Sequence, residues 1–167
     1  RDELEGDRSA DLFIALNHLM QMFDRIVINV GTLQSRHWVR ALGIHARHLL
    51  IAMHPLVDQA HVVRSLGSEW RAHLGKESRV SLVVDGIDTH VPPSLDELAE
   101  TAGMPVLAGL PMDWRHRLLA MNTGLPVQEQ APRCHYARSL QTLVGKLELS
   151  QDEVVEQSWW QRLRGKR

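Results

Sequence analysis

Several features that would fix the class of this chain are missing from it. It carries one cysteine, Cys134, which excludes a disulfide framework within the chain and suits a reducing cytoplasm. No apolar run approaches the ~20 residues of a membrane-spanning helix, and no secretory signal precedes the first predicted helix. An excess of charge is also missing, because 19 Lys and Arg face 20 Asp and Glu. We therefore expect a cytoplasmic protein that has no global attraction to nucleic acid.

The remaining composition is typical of a globular domain. Hydrophobic residues make up 44% of the chain and charged residues 23%, and 167 residues suffice for one domain with a real core. Because the first residue is Arg1 rather than Met, we expect further sequence upstream. We predict a domain over 1–149 and an amphipathic tail over 150–167. In that tail Trp159 and Trp160 precede a basic run, a pattern that fits contact with a membrane surface or a partner, and equally a solvated tail whose tryptophans pack back on the domain.

Apolar residues recur alternately at helix and strand spacing along the chain. Helices are predicted at 9–23, 33–44, 56–75, 92–103, 112–124 and 132–147. Strands are predicted at 25–30, 48–55, 79–88 and 104–111. In the fourth helix we predict Ser94 as the N-cap, Glu97 as its capping-box partner and Gly103 as the stop.

This alternation, with strands that are continuously apolar, indicates an α/β fold whose mainly parallel sheet is covered by helices on both faces. In such a sheet, ligands bind beyond the carboxyl ends of the strands. The segments to inspect are therefore 29–31, 54–55, 85–88 and 110–113.

Metal and nucleophile chemistry find little support in the sequence. The chain has ten histidines, but neither H-E-x-x-H nor a paired Cys/His spacing occurs. The histidines considered as ligands are His45, His48, His54, His61 and His73. There is no G-x-S-x-G elbow, and Cys134 is predicted to be a small packing residue. We expect no metal site and assign no catalytic residue.

Four phrases together resemble a known family: "FDRIVINVG" (23–31), "LLIAMHPLVDQAHVVRSL" (49–66), "VSLVVDGID" (80–88) and "GMPVLAGLPMDWRHRLLAMNTGLPVQEQAPRCHYARSLQTL" (103–143). Over about residues 9–147 the chain resembles the C-terminal two thirds of a MinD/ParA-type deviant Walker ATPase domain. It is most similar to the pilus-assembly ATPases of the CpaE/TadZ type. The last phrase follows the family's closing order of strand, Pro-x-Asp, helix, Asn-x-Gly-x-Pro and final helix.

The family's phosphate-binding loop has no counterpart in these residues. Relatives hold ATP in a Gly-rich loop whose amides and lysine cradle the phosphates. Nothing here matches G-x-x-x-x-G-K-[ST], and the nearest fragment, "HLGKES" (73–78), lacks the first glycine at the required spacing. The resemblance therefore implies a P-loop upstream of Arg1, or a protein that never had one.

The resemblance gives a cofactor-binding role to Asn29, Asp85, Pro111 and Asp113, and implies ATP with Mg²⁺ as the ligand. Asn29 stands where the family has an acidic residue near Mg²⁺, and a neutral amide is a poorer ligand for that cation. Asp85 replaces the Asn that recognises the base, and a carboxylate cannot donate a hydrogen bond. Pro111 and Asp113 match the Pro-x-Asp pattern beside the base. The two substitutions predict weak MgATP binding and weak hydrolysis.

The same residues have purely structural interpretations. Asn29 could belong to an ordinary turn, Asp85 with Gly86 to a solvated turn, and Asp113 could be a helix N-cap. Asn122-Thr-Gly124 is explained as a helix C-terminus. A receiver domain is also built on a parallel sheet, but its acidic pair after the first strand and its Lys after the last are missing from those predicted positions.

The sequence thus favours a degenerate, non-hydrolysing MinD/ParA-like domain that acts as a localisation or assembly factor for a pilus or secretion system. By resemblance its partners are a second copy of the chain and pilus or secretion assembly proteins, at the cytoplasmic side of the inner membrane. Two alternatives stay open: an active ATPase whose P-loop lies upstream, and a protein-binding scaffold of receiver-like α/β fold.

Overall fold

The computed structural model describes residues 2–32, 39 and 42–148, with the backbone alone for 2–10 and 44. These residues divide into two compact units. The first contains the described residues up to Arg47 together with Glu69–Ser78, and the second contains His48–Ser68 and the described residues from Arg79 onward. The predicted tail with Trp159 and Trp160 lies outside the described residues.

The elements follow one another in the order helix, 3₁₀ turn, strand, helix, strand, helix, strand and three helices. They are α1 (Asp2–Met22), a 3₁₀ turn (Gly43–His45), β1 (His48–Met53), α2 (Val57–Arg71), β2 (Arg79–Ile87), α3 (Leu95–Ala102), β3 (Val106–Pro111), α4 (Trp114–Thr123), α5 (Val127–Gln130) and α6 (135–148). Five of the predicted helices and three of the predicted strands have counterparts among them. The short α5 was not predicted.

The three strands form a parallel sheet in the order β1-β2-β3, with β2 in the centre. The register pairs His48 with Arg79 at one end of β1 and Met53 with Val84 at the other. Parallel neighbours cannot be joined by a tight turn, and the chain between successive strands supplies α2 and α3 as the crossovers. The α/β class and the parallel sheet are confirmed.

The core of the second unit is apolar and closely packed. Leu82 and Val84 of β2 and Leu98 of α3 are fully buried, and each such side chain contributes about 1.5–3 kcal/mol relative to exposure. Gly109 of β3 lets α3 lie close to that strand. A Cβ at this position would lie 2.8 Å from Leu95 Cδ1, which is closer than two carbon atoms can sit.

The start and end of α3 agree with the sequence in every detail. The Ser94 hydroxyl accepts a hydrogen bond from the Glu97 amide, and the Glu97 carboxylate accepts one from the Ser94 amide at 2.7 Å. Gly103 ends the helix with φ = +66°, in the left-handed region that glycine enters without strain. The predicted capping box and stop are confirmed.

One predicted strand is wrong. Residues 25–30 take part in no β-ladder, and Val27 is 97% exposed. A strand needs a neighbour to supply its backbone hydrogen bonds, and the first unit contains no strand among its described residues. Most of the helix predicted at 33–44 lies outside the described residues, although Val39 and Leu42 are helical and buried.

No helix in the described part of the chain is both long enough and apolar enough to cross a membrane. The longest helix among the described residues is α1, which extends over 21 residues, but charged residues are frequent in its first half.

Candidate functional site

The carboxyl ends of the parallel strands meet at one edge of the second unit's sheet. At this edge Asp85 is paired with Leu110 and Ile87 with Pro111, and the Met112 amide donates to the Ile87 carbonyl at 3.2 Å. Three of the four residues that the resemblance singled out therefore lie together, since Asp113 follows two residues after Pro111. Their common position was predicted from the strand order.

A bulge in β2 shapes this edge. The register with β3 shifts between Asp85 and Ile87, and the intervening Gly86 has φ = +86°. A side chain at that φ would be strained, so the glycine permits the bulge. Asp85 and Gly86 belong to the strand, and Gly86 is buried. Their interpretation as a solvated turn is therefore wrong.

The Asp85 carboxylate is held by an arginine from α4. Arg117 Nη1 donates to Asp85 Oδ1 at 3.1 Å, and Nη2 lies 2.9 Å from Oδ2. The Asp85 side chain is 20% exposed and that of Arg117 35%. Two parallel bonds between a guanidinium and a carboxylate fix both groups more firmly than a single contact does. Both carboxylate oxygens are therefore already engaged.

The arginine is in turn supported from α6. Its Cζ lies 5.1 Å from the centre of the Tyr136 ring, within the range of a cation–π contact. Burial raises the pKa of Tyr136, the nearby Asp85 charge raises it further, and Arg117 opposes the rise. The phenol therefore stays neutral at physiological pH. On the other side, His54 Nδ1 donates to the Asp85 backbone carbonyl at 3.2 Å.

Asp113 begins α4, and its carboxylate is engaged by His116 of the same helix. Its Oδ1 accepts from the His116 amide at 3.3 Å, which confirms the predicted N-cap. The His116 ring Nδ1 lies 2.8 Å and 2.9 Å from the two carboxylate oxygens. Partial burial alone would raise the pKa of Asp113, but the His116 hydrogen bonds and charge outweigh it and hold the pKa below its ordinary value.

Cys134 completes a cluster that the sequence did not reveal. Its Sγ accepts from the Ala137 amide at 3.3 Å at the start of α6. One ligating atom from each of Asp113, His116 and Cys134 lies within 4.8 Å of the other two. Among the described residues this is the one such group of three His, Cys, Asp or Glu. The predicted role of Cys134 as a packing residue thus missed its polar neighbours, because α4 and α6 bring them together from separate parts of the sequence.

Asn29 belongs to the first unit, and its surroundings are local. Its side-chain oxygen accepts from the Gly31 amide at 2.9 Å, and Gly31 has φ = +82°. This is an Asx turn, in which Asn satisfies a backbone donor two residues ahead. The interpretation of Asn29 as turn chemistry is therefore supported. Its predicted cofactor role stays a prediction.

Comparison with solved structures finds proteins of similar fold. The chain matches a ParA family ATPase from Chlorobium tepidum TLS with a TM-score of 0.55 and 19% identity, and the match covers 65% of this chain and 44% of that one. It matches the MinD cell division protein of Aquifex aeolicus with a TM-score of 0.52 and 15% identity, over 65% of this chain and 46% of that one. The chain has a ParA/MinD-type fold. No protein-family profile and no curated protein sequence matches it.

These matches show that the chain shares a fold with the two proteins, and no more than that. The chain spans less than half the length of either protein, and at these identities the likeness concerns the fold alone. The resemblance that the sequence phrases carry is thus borne out at the level of the ParA/MinD fold.

Proposed function

We propose that this chain is a non-hydrolysing ParA/MinD-type domain that acts by binding, as a localisation or assembly factor for a pilus or secretion system. The observation that carries the first half of this proposal is the paired contact between Asp85 and Arg117. The CpaE/TadZ resemblance of the sequence supports the second half.

The Asp85 contact argues against recognition of a base at this edge. By resemblance, residue 85 occupies the place of an Asn whose amide can both donate and accept. A carboxylate can only accept, and here both of its oxygens already take hydrogen bonds from Arg117. A purine that displaced the arginine would also have to break its contact with Tyr136 and leave two partly buried charges without partners.

Binding of the nucleotide's phosphates and of its Mg²⁺ lacks support as well. The 167 residues contain no G-x-x-x-x-G-K-[ST] loop, and the neutral Asn29 side chain is engaged in its own turn. By resemblance, the substitution at position 29 concerns the Mg²⁺ ion, and the substitution at position 85 concerns the base. Their coincidence favours loss of turnover over an altered nucleotide preference.

Action by binding is supported by the surface of α4 and its flanks. No side chain of α4 is buried, and large apolar groups around it are exposed. These are Met112, Trp114, Leu118, Leu119, Met121 and Leu125. A concentration of exposed apolar side chains is typical of surfaces that contact other proteins. By resemblance, the contacts are with a second copy of the chain and with assembly proteins.

Hydrolysis tests the enzymatic half of the proposal. We expect the natural polypeptide containing these residues to release no phosphate from ATP above a buffer blank, with or without Mg²⁺. We also expect Asn29→Asp, which restores the acidic residue of the family, to leave this unchanged. Mg²⁺-dependent release that Asn29→Ala abolishes would refute the proposal and favour the active ATPase.

Localisation tests the biological half. In the source organism, a fluorescent fusion should concentrate at the site of pilus or secretion assembly, and deletion of the gene should remove the assembled structure. Arg117→Met removes the paired contact with Asp85 at the sheet edge and tests whether that contact matters for localisation. The expression level of this variant is compared with that of the wild type, so that a loss of folded protein is not mistaken for a loss of localisation. A uniform fusion signal, together with normal assembly in the deletion strain, would refute this half.

A further inference from the structure

Three side chains with metal-binding chemistry converge at the first residues of α4 and α6. Asp113 and His116 are i and i+3 at the start of α4, and Cys134 precedes α6. Each is partly buried, and one ligating atom of each lies within 4.8 Å of the other two. Asp113 lies at the same edge of the sheet as Asp85, but none of the three takes part in the contact between Asp85 and Arg117 on which the proposed function rests.

Their geometry is close to that of a zinc site. Zinc binds carboxylate oxygen, imidazole nitrogen and thiolate sulfur at about 2.0–2.3 Å, so tetrahedral ligand atoms lie roughly 3.3–3.8 Å apart. The carboxylate and the imidazole of His116 are already nearer than that, at 2.8 Å. The Cys134 Sγ lies within 4.8 Å of a ligating atom of each, so a side-chain rotation can bring it to that separation.

The donor set indicates which metal the cluster suits. The Cys134 sulfur accepts a hydrogen bond from the Ala137 amide, which holds it at the start of α6. Sulfur, imidazole nitrogen and carboxylate oxygen together suit zinc rather than magnesium or calcium, which prefer oxygen ligands alone.

The same three residue types also occur in thiol hydrolases, but the arrangement differs. A hydrolase holds the thiol against the histidine that takes its proton, and a third group orients that histidine from behind. Here the Asp113 carboxylate engages the His116 ring at 2.8 Å, and Cys134 Sγ lies within 4.8 Å of a ligating atom of both. The three groups therefore form one compact cluster, as ligands of a common ion do.

We propose that Asp113, His116 and Cys134 bind a zinc ion, with a water molecule as fourth ligand. Zinc takes the place of the Cys134 thiol proton, which passes to the buffer. If His116 binds through Nδ1, the hydrogen on that nitrogen moves to Nε2 by exchange with solvent. The ion links the start of α4 to the start of α6.

Cobalt gives the most specific test, because Cys134 is the one cysteine in the chain. Untagged, metal-free protein is titrated with Co²⁺ alone, and absorbance is followed in the near ultraviolet and the visible. A thiolate-to-cobalt charge-transfer band can come from Cys134 only. We expect that band to appear at one equivalent, with the visible bands of four-coordinate cobalt, and to disappear when one equivalent of Zn²⁺ displaces the cobalt.

Variants assign the ligands. Cys134→Ser and Asp113→Asn keep side chains that can begin a helix, so both should fold. We expect each, and also His116→Gln, to weaken zinc binding in equilibrium dialysis by more than about 100-fold, because losing a ligand should exceed the 10- to 100-fold loss typical of a residue that only supports one. His135→Ala, beside Cys134 but outside the cluster, should bind zinc like the wild type.

Two results would overturn the proposal. One is a Co²⁺ titration of correctly folded wild-type protein without a charge-transfer band. The other is zinc binding that Cys134→Ser leaves unchanged, which would assign the metal to other histidines. Either result would reduce the cluster to hydrogen bonds that begin two helices.

Discussion

The edge of the sheet at Asp85 and the segment at Asn29 have similar sequences but different structures. "LVVDG" (82–86) lies in the ladder and is largely buried, whereas "VINVG" (27–31) pairs with no strand and exposes Val27 almost completely. At the first site the polar residue is fixed by Arg117 from a distant helix. At the second, Asn29 bonds to an amide two residues away. An apolar run thus becomes a strand only where a neighbouring strand and a core receive it.

The largest effect that tests this comparison comes from truncating one side chain in each region. Leu98→Ala should lower the free energy of unfolding by about 2–5 kcal/mol, because Leu98 is fully buried beside the sheet. Val27→Ala should change it by less than about 0.5 kcal/mol. Urea unfolding followed by circular dichroism measures both. A large cost for Val27→Ala would mean that residues 25–30 are packed in solution and that the two regions are alike.

A smaller effect tests the close approach of α3 to β3. Gly109→Ala places a methyl group against Leu95 and should cost about 1–3 kcal/mol. Gly145→Ala is the matched control, because no atom lies within 4 Å of its added Cβ and residue 145 is helical. There we expect a gain of up to about 1 kcal/mol, measured by the same urea unfolding. Equal costs at both positions would contradict the packing described for this unit.

The capping box of α3 should contribute somewhat less. Ser94→Ala removes the acceptor for the Glu97 amide and should cost about 1 kcal/mol. Ser65→Ala, in the interior of α2, is the control. The Ser65 hydroxyl only bonds back to a carbonyl of its own helix, so this change should be close to neutral. If the two serines cost the same in thermal unfolding, the capping box would not be formed in solution.

The smallest expected effect is a dependence on pH. Hydrogen bonds from Ser94, first its amide and then its hydroxyl, hold the pKa of Glu97 below the ordinary value of 4.5. A depressed pKa in the folded state means that the carboxylate stabilises the fold above that ordinary value, and that this contribution is lost as the pH falls through the folded pKa. The urea midpoint of wild type should exceed that of Glu97→Gln at neutral pH, and the difference should shrink in acid. A difference independent of pH would contradict this assignment.

The sequence predicted those features whose determinants are local or periodic. The capping box from Ser94 to Gly103 depends on residues within one short segment, and the three paired strands are apolar runs bounded by turn residues. The cluster around Cys134 could not be predicted, because its three members come together only when α4 and α6 pack. The prediction of a strand at 25–30 was wrong because composition alone does not make a strand. These residues have the composition of a strand, but the described part of their unit supplies no neighbouring strand to pair with.

Arg117 engages both carboxylate oxygens of Asp85 at the edge of the sheet, and we propose that this contact leaves no place for a nucleotide base. Calorimetric titration of MgATP into the natural polypeptide tests this most directly, with Asp85→Asn as the comparison because it restores the amide of the family. We predict no saturable heat for the wild type. Saturable binding of MgATP to the wild type that Asp85→Ala abolishes would contradict the central claim.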